Sequence, residues 1–303
     1  MSSMSFRILF FAFWSLPLGA EQIRVAAFNL RNYLVCDRSV EGIWRQEYPK
    51  PEKEKAAIRS ILSKIRPDVI ALQEIGPEPF LLELQKDLQT EGIDYPHRVW
   101  MEAEDEVRHL AVLSRKPIVA TRRHDALDFK YFDGREKIRR GLLEVVFETD
   151  GVKWSLFVVH LKSKWTERKD DFEAAKRRTG EARAARDHIR HAFPPEKSPL
   201  YLVTGDFNDH RDSAPLRRFL QCGDAKLTSI APAMDSRGEV WTHYWAKRDL
   251  YSRVDFMLAT PPMMKRIKEG RGKVVDLPEA SIASDHRMVY FDLEFAGPPE
   301  KEK

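Results

Sequence analysis

The stretch Leu200-Tyr201-Leu202-Val203-Thr204-Gly205-Asp206-Phe207-Asn208 reads as a short apolar strand that runs out into a carboxylate and an amide. Ends of strands are where loops converge and sites form. Asp206 and Asn208 are two residues apart, so on extended chain they point to the same side and can grip one water.

The same ending recurs along the chain. Ile23 to Phe28 is a β-rich run closed by Asn29, and Val69 to Leu72 leads into Gln73-Glu74. Trp154 to Leu161 is strongly apolar and carries His160 near its end. Val254 to Ala259 contains Asp255, and Asp285-His286 opens the last strand, Met288 to Phe295.

Helices fall between these strands. Ile58, Ile61, Leu62 and Ile65 recur at helical spacing and are stopped by Pro67; Phe80, Leu84 and Leu88 mark a second helix after Pro79. Phe172, Ala175, Ala182, Ala185 and Ile189 place one face of a long basic helix, ended by Pro194-Pro195. Leu110 to Leu113 and Leu142 to Phe147 are further strands, and Asp150-Gly151 between two runs signals a hairpin. Strands with hairpins among them, rather than strict βαβ alternation, predict an α/β fold of two packed sheets flanked by helices.

Residues 1–20 read as an export signal. Arg7 supplies the positive start, Ile8 to Leu18 is an apolar run too short to span a bilayer, and Gly19-Ala20 offers a small-residue cleavage point. Arg7 is its only charge, so removal lowers the net charge from +4 to +3 and leaves 283 residues. A mildly basic chain suits a polyanionic substrate without the charge density of a nucleic-acid coat. Cys36 and Cys222 are the only cysteines, which excludes a zinc site built on thiolates and leaves a disulfide open. The segment 297–303 reads as a frayed tail, and no further stretch is apolar enough to cross a membrane.

Phosphodiester hydrolysis needs a cation on the phosphate oxygens, a positioned water, and help for the leaving oxygen. Mg²⁺ favours a few carboxylate or amide oxygens, which Glu74, Asn29 and Asp285 offer. His286 held by Asp255 gains a fixed tautomer and a raised pKa.

Seven segments carry a resemblance. They are Phe28-Asn29, Leu72-Gln73-Glu74, Leu110 to Arg115, His160 to Ser163, Gly205 to Asn208, Ser252 to Asp255 and Ser284-Asp285-His286. Each is weak alone; in this order they are strong. The chain resembles the endonuclease/exonuclease/phosphatase superfamily, the fold of pancreatic deoxyribonuclease, abasic-site endonucleases and neutral sphingomyelinases. The resemblance implies a four-layer sandwich of two packed mixed β-sheets flanked by helices, spanning 21–296, with its site at one rim. It implies Glu74 as the main ligand of Mg²⁺ (or Mn²⁺), helped by Asn29 and Asp285. Asp206 and Asn208 would orient or deprotonate the water, Asp255 and His286 would form the carboxylate–imidazole pair, and His160 would donate to a phosphate oxygen. Whether Asp206 or the Asp255–His286 pair is the base stays open. Arg139 and Arg140 both qualify as a phosphate arginine, Arg140 being preferred. The first histidine should have a carboxylate partner among Glu102, Glu104, Asp105 and Glu106. His109 stands where many relatives have glycine.

Lys162 and Lys164 with Trp165 lie just past His160 and suit substrate phosphates and a base. Lys162 to Arg190 holds ten Lys/Arg against six Asp/Glu, interleaved as on a solvated helix face. Trp44 and Tyr48, and Trp241, Tyr244, Trp245 and Tyr251, serve either stacking on a base or packing under a loop. The expectation is a secreted or periplasmic, monomeric, metal-dependent phosphodiester hydrolase with nucleic acid as substrate. A lipid phosphodiesterase, a phosphomonoesterase and a non-catalytic binding module are the alternatives.

Overall fold

A computed structural model describes residues 21–295. The export signal and the tail expected from sequence lie outside them. No described helix is long and apolar enough to cross a membrane.

Two mixed sheets face each other. The first is built from β1 (Glu21–Tyr33), β2 (Val69–Ile75), β3 (His97–Met101), β4 (His109–Ser114), β10 (Ala233–Met234), β12 (Gly272–Val274) and β13 (Val289–Phe295). The second is built from β5 (Ala120–His124), β6 (Leu142–Thr149), β7 (Val152–His160), β8 (Tyr201–Asp206), β9 (Ser229–Ile230) and β11 (Asp255–Ala259). Their orders are β10-β12-β13-β1-β2-β4-β3 and β9-β11-β8-β7-β6-β5.

Alternation along each strand assigns its two faces. On β1, Val25 and Ala27 join Val112, Leu156, Leu202, Met257 and Phe291 in the core between the sheets. Ala26 and Phe28 point the other way, onto Ile58, Leu62, Leu84 and Leu88 of α1 (Glu52–Ile65) and α2 (Glu78–Thr90). Phe157, Val159 and Val203 pack outward on Ala182, Ala185, Ile189 and Phe219 of α3 (Ala175–Ala192) and α4 (Ala214–Leu220). The layers therefore run helix, sheet, sheet, helix. Three separate cores hold them together by burial of apolar surface.

Local chemistry sets the boundaries. Arg66 takes a left-handed φ of 50° and its N–H closes α1 on the Leu62 carbonyl, one residue before Pro67. Asp150 and Gly151, with φ of 48° and 73°, turn β6 into β7, a conformation in which two successive positive φ angles match the strand twist.

One expectation needs correction. Phe172 is 81% exposed and Ala175 is exposed as well, so neither lies on the buried face of α3. The helix begins later than the apolar spacing indicates, because the Asp171 carboxylate receives the N–H groups of Lys176 and Arg177 and fixes its start there. Its buried face includes Arg178 and Glu181, charges that the spacing of apolar residues hides.

Candidate active site

Three neighbouring strands of the second sheet end on polar groups at one rim. β7 runs parallel to β8 with His160 beside Asp206, and β8 runs antiparallel to β11 with Asp206 beside Asp255. Gly205 makes the first pairing possible. It has φ 130°, and a Cβ there would lie 2.0 Å from the Val159 carbonyl oxygen.

From the facing sheet, Asn29 reaches across. Its amide Nδ2 donates to Asp206 Oδ2 at 3.0 Å and to Glu74 Oε1 at 3.3 Å. Glu74 sits at an irregularity in the β2 ladder with a left-handed φ of 60°. Bulges of this kind re-aim side chains beside sites, and an αL conformation at a non-glycine residue stores strain. Glu74 Oε2 accepts the Asn32 N–H at 2.9 Å.

Asp206 is 1% exposed and fully engaged. Oδ1 accepts the Asn208 backbone N–H at 2.7 Å, and Oδ2 accepts both the Asn29 and the Asn208 amides. Asn208 is not extended, as its spacing from Asp206 indicates, but left-handed with φ 52°. That turn aims its amide back at Asp206 and at the Leu161 carbonyl rather than alongside.

Two imidazoles converge on the same oxygen. His160 Nε2 is 3.6 Å from Asp206 Oδ2 and 3.8 Å from Glu74 Oε1, and His286 Nε2 is 3.8 Å from Asp206 Oδ2. His286 Nδ1 lies 2.8 Å from Asp255 Oδ2. Asp206, Asp255 and His286 offer ligand atoms within 4.8 Å of one another, and so do His243, Asp285 and His286.

Burial and neighbouring charge set the protonation states. Burial, reinforced by Asp255 and Glu74 against the pull of His286, raises Asp206 to about 7. Burial lowers His286, but the Asp255 and Asp206 carboxylates outweigh it and lift the ring to about 10. Burial, with Arg140 and His286 nearby, drives His160 well below the usual imidazole value. The site thus holds one neutral and one cationic imidazole around a carboxylate that titrates near neutrality.

The remaining sequence-derived residues fall as follows. Asp285 does not join Glu74 directly. Its Oδ2 is 3.5 Å from Arg31 Nε, and it is tied in through Ser284, whose Oγ donates to the Asn29 carbonyl at 2.8 Å. Arg140 is buried and ion-paired with Asp105 at 2.8 Å, although its N–H is not aligned for a hydrogen bond. Lys162 is also buried; its ammonium turns to Ser163 and the Trp165 carbonyl, and burial among arginines lowers it to about 8.

The carboxylate partner expected for His160 is not found: its Nδ1 is buried with no hydrogen-bond partner among the described residues. Asp105, one of the four candidates, is committed to Val107, Arg108, Arg139 and Arg140. His109 is buried with its ring 4.7 Å from that of Trp100, so it packs rather than lining the site. Cys36 and Cys222 are both free thiols.

Four bracing residues carry no sequence signal. Thr242 Oγ1 accepts the N–H groups of Val254 and Asp255 at 3.0 Å each, while its carbonyl accepts the Arg287 N–H at 2.6 Å. One threonine therefore fixes both halves of the Asp255–His286 pair. Glu181 accepts the Lys162 N–H at 2.7 Å and the Arg139 N–H at 3.2 Å, and Arg178 donates to the Lys162 carbonyl. Together they hold the chain just past His160. Arg108 donates to Asn32 at 2.7 Å, steadying the contact to Glu74.

A cavity of about 740 Å³ opens beside Asp285, with Arg31, Trp241, Tyr244, Tyr251 and Arg287 on its walls. Trp241, Tyr244 and Tyr251 pack on one another, yet Tyr251 stays 52% exposed. Packing and an open aromatic face coexist in that group.

Residues 26–286 match the model of the Endonuclease/Exonuclease/phosphatase family. Among curated proteins no sequence matches this chain. Among solved structures it is similar to an endonuclease/exonuclease/phosphatase family protein from Leptotrichia buccalis (TM-score 0.63, 17% identity, covering 90% of this chain and 100% of that one). It is also similar to the human Nocturnin catalytic domain with bound sulfate (TM-score 0.62, 15% identity, 91% and 95%). A third is sphingomyelinase C from Streptomyces griseocarneus (TM-score 0.59, 18% identity, 90% and 99%).

Proposed function

This chain belongs to the Endonuclease/Exonuclease/phosphatase family, and on that premise we propose that it is a divalent-metal-dependent phosphodiester hydrolase acting on nucleic acid. The observation that carries the reading is Asp206. A buried carboxylate, held by three N–H donors and faced by two imidazole nitrogens, is built for proton work at a phosphate and not for stability.

The donor set fits a hard cation. Burial together with Asp255 and Glu74 raises Asp206, the mark of negative charge crowded into a dry site that a cation would relieve. Glu74, Asn29 and Asp285 would hold Mg²⁺ or Mn²⁺, which when bound neutralises phosphate oxygens. The other residues act directly. Asp206, fixed by Asn29 and Asn208, orients the attacking water and takes its proton. His286, kept cationic by Asp255, contacts a non-bridging oxygen with Nε2–H. His160, neutral and buried, hydrogen-bonds through Nε2 to a second oxygen of the phosphate.

Nucleic acid is favoured by the surroundings of the site, where exposed aromatic faces alternate with cations. Trp165 is 68% exposed beside Lys162, and Tyr251 opens to the cavity with Arg31 and Arg287. The export signal read in residues 1–20 suits a secreted or periplasmic scavenging role. A second reading, a lipid phosphodiesterase, draws on the hairpin of Cys36–Val40 with Ile43–Tyr48, where Ile43 and Trp44 are 55% and 65% exposed. Arg38, Arg45, Asp37 and Glu47 interrupt that apolar surface, which makes it the weaker reading.

The test is turnover by purified protein of bis(p-nitrophenyl) phosphate, DNA, RNA, sphingomyelin and phosphomonoesters, with Mg²⁺ or Mn²⁺ and with EDTA. Metal-dependent cleavage of DNA or RNA is expected. Exclusive turnover of sphingomyelin supports the second reading; inactivity on every substrate overturns both.

A further inference from the structure

We propose that the cleft bounded by the outer face of α3, by α4 and by the hairpin of Asp128–Tyr131 with Gly134–Lys137 is a second, non-catalytic site that binds the phosphate backbone of a polynucleotide. The proposal rests on the reading of the chain as a nucleic-acid hydrolase and extends it to how a long substrate is held.

The cleft has a volume of about 350 Å³, and Lys130, Lys176, Arg183 and Arg218 line it with no acid among them. All four side chains are exposed, and none is ion-paired with a carboxylate among the described residues. Their neighbours on the same helix behave differently. Arg177 pairs with Glu136 at 3.0 Å, Arg178 with Asp209 at 2.9 Å, and Arg186 with Asp187 at 2.6 Å. The paired cations of α3 thus lie off the cleft, whereas Lys176 and Arg183, which border it, have no carboxylate partner among the described residues; Arg190, beyond its end, is unpaired as well. Clustered like charges repel and cost stability, so their convergence calls for an anion.

The floor is closely packed, which seats the hairpin on α3 and brings Lys130 to the cleft. Ala175 and Gly180 form part of it, and Gly180 is required because a Cβ there would meet the Phe129 ring at 2.2 Å. The four cations come from three separate elements and spread along the cleft, an arrangement that follows a row of phosphates better than it encloses a single one.

The cleft is also connected to the chemistry. The inner face of α3 holds the Lys162 N–H through Glu181, so cleft and site lie on opposite sides of one helix, about 10–12 Å across with its side chains. Between them runs the segment 162–174, which presents Trp165 and Phe172, 68% and 81% exposed, for base stacking. Phosphates on one strand of B-form DNA recur about every 3.4 Å along the axis, so a dinucleotide cannot bridge the two places and an oligonucleotide can.

The test uses the charge-reversed variant Lys130→Glu/Arg183→Glu/Arg218→Glu, whose exposed side chains take no part in the core. Binding of a fluorescein-labelled single-stranded 20-mer is followed by anisotropy in EDTA, so that cleavage does not interfere, across a range of salt. Losing three phosphate contacts should lower the slope of log K against log salt by about 2 and weaken binding at least tenfold at low salt. Turnover of bis(p-nitrophenyl) phosphate should be unchanged. An unaltered slope overturns the proposal. So does loss of binding to phosphatidylserine vesicles while the 20-mer is held as before, since that outcome assigns the cleft to a membrane. Because the binding arm needs no catalysis, a chain that hydrolysed nothing would sink the proposed activity and leave this result to stand or fall alone.

Discussion

Asp206 concentrates the consequences that belong to single residues. Its replacement by alanine, or that of His286, should lower kcat/KM on bis(p-nitrophenyl) phosphate by about 10²–10⁴, the span typical of losing a positioned acid or base. Wild-type turnover in either variant contradicts the roles given to them. The pH dependence follows in sign. Burial raises Asp206 to about 7 in the metal-free site and a bound cation would lower it, and only the ionised carboxylate accepts a proton, so the rate should fall on the acid side of neutrality. His286 stays cationic until about 10, which places no second limb near neutral pH. Removing the His286 charge withdraws an influence that lowers Asp206, so residual activity in His286→Asn should show its acid limb moved to higher pH. A pH–rate profile of both proteins decides it. Gly205→Ala would drive a Cβ to 2.0 Å from Val159 O at φ 130°, and should cost about 3 kcal/mol in urea unfolding as well as activity.

At the level of elements, the bracing loops separate positioning from chemistry. Thr242→Val keeps the shape of a buried side chain but deprives the Val254 and Asp255 N–H groups of their acceptor. It should cost about 1–3 kcal/mol and lower kcat with little change in KM. Steady-state kinetics beside urea melts would show whether the two losses separate. This is also where the legibility of the sequence divides. Asn29, Glu74, His160, Asp206, Asp255 and His286 stand out because polar groups at the ends of apolar strands break a regular pattern. Thr242 and Glu181 do not, because a hydroxyl or carboxylate that receives backbone N–H groups leaves no periodicity to read. The two-sheet architecture was visible in strand alternation and in the Asp150-Gly151 turn. Apolar spacing misplaces the onset of α3 because Asp171 decides where its first turn begins. The hairpins of 36–48 and 128–137 leave no signal in the sequence because their faces are mostly exposed and mixed in polarity, so no clean period of two survives.

For the molecule as a whole, the site draws on both sheets: Asn29 and Glu74 come from one, His160, Asp206 and Asp255 from the other. A cation bound at the seam therefore ties the two halves and should report on global stability. At a metal concentration one hundred times its Kd, binding adds about 2.7 kcal/mol. That corresponds to a rise in Tm of several degrees for a domain of this size. The rise should appear in wild type and vanish in Glu74→Ala, as followed by calorimetry with Mg²⁺ and with EDTA. The pairing of β7, β8 and β11 has a further meaning. Adjacent strands lie about 4.8 Å apart, so three of the groups proposed to act on the phosphate are spaced by the hydrogen-bond ladder itself and not by any loop. On the proposed function these groups are cast into the frame like teeth on a comb, and the loops that would choose a substrate hang from its tips. Exchanging those tips with a relative's should change what is cut and leave the cutting intact.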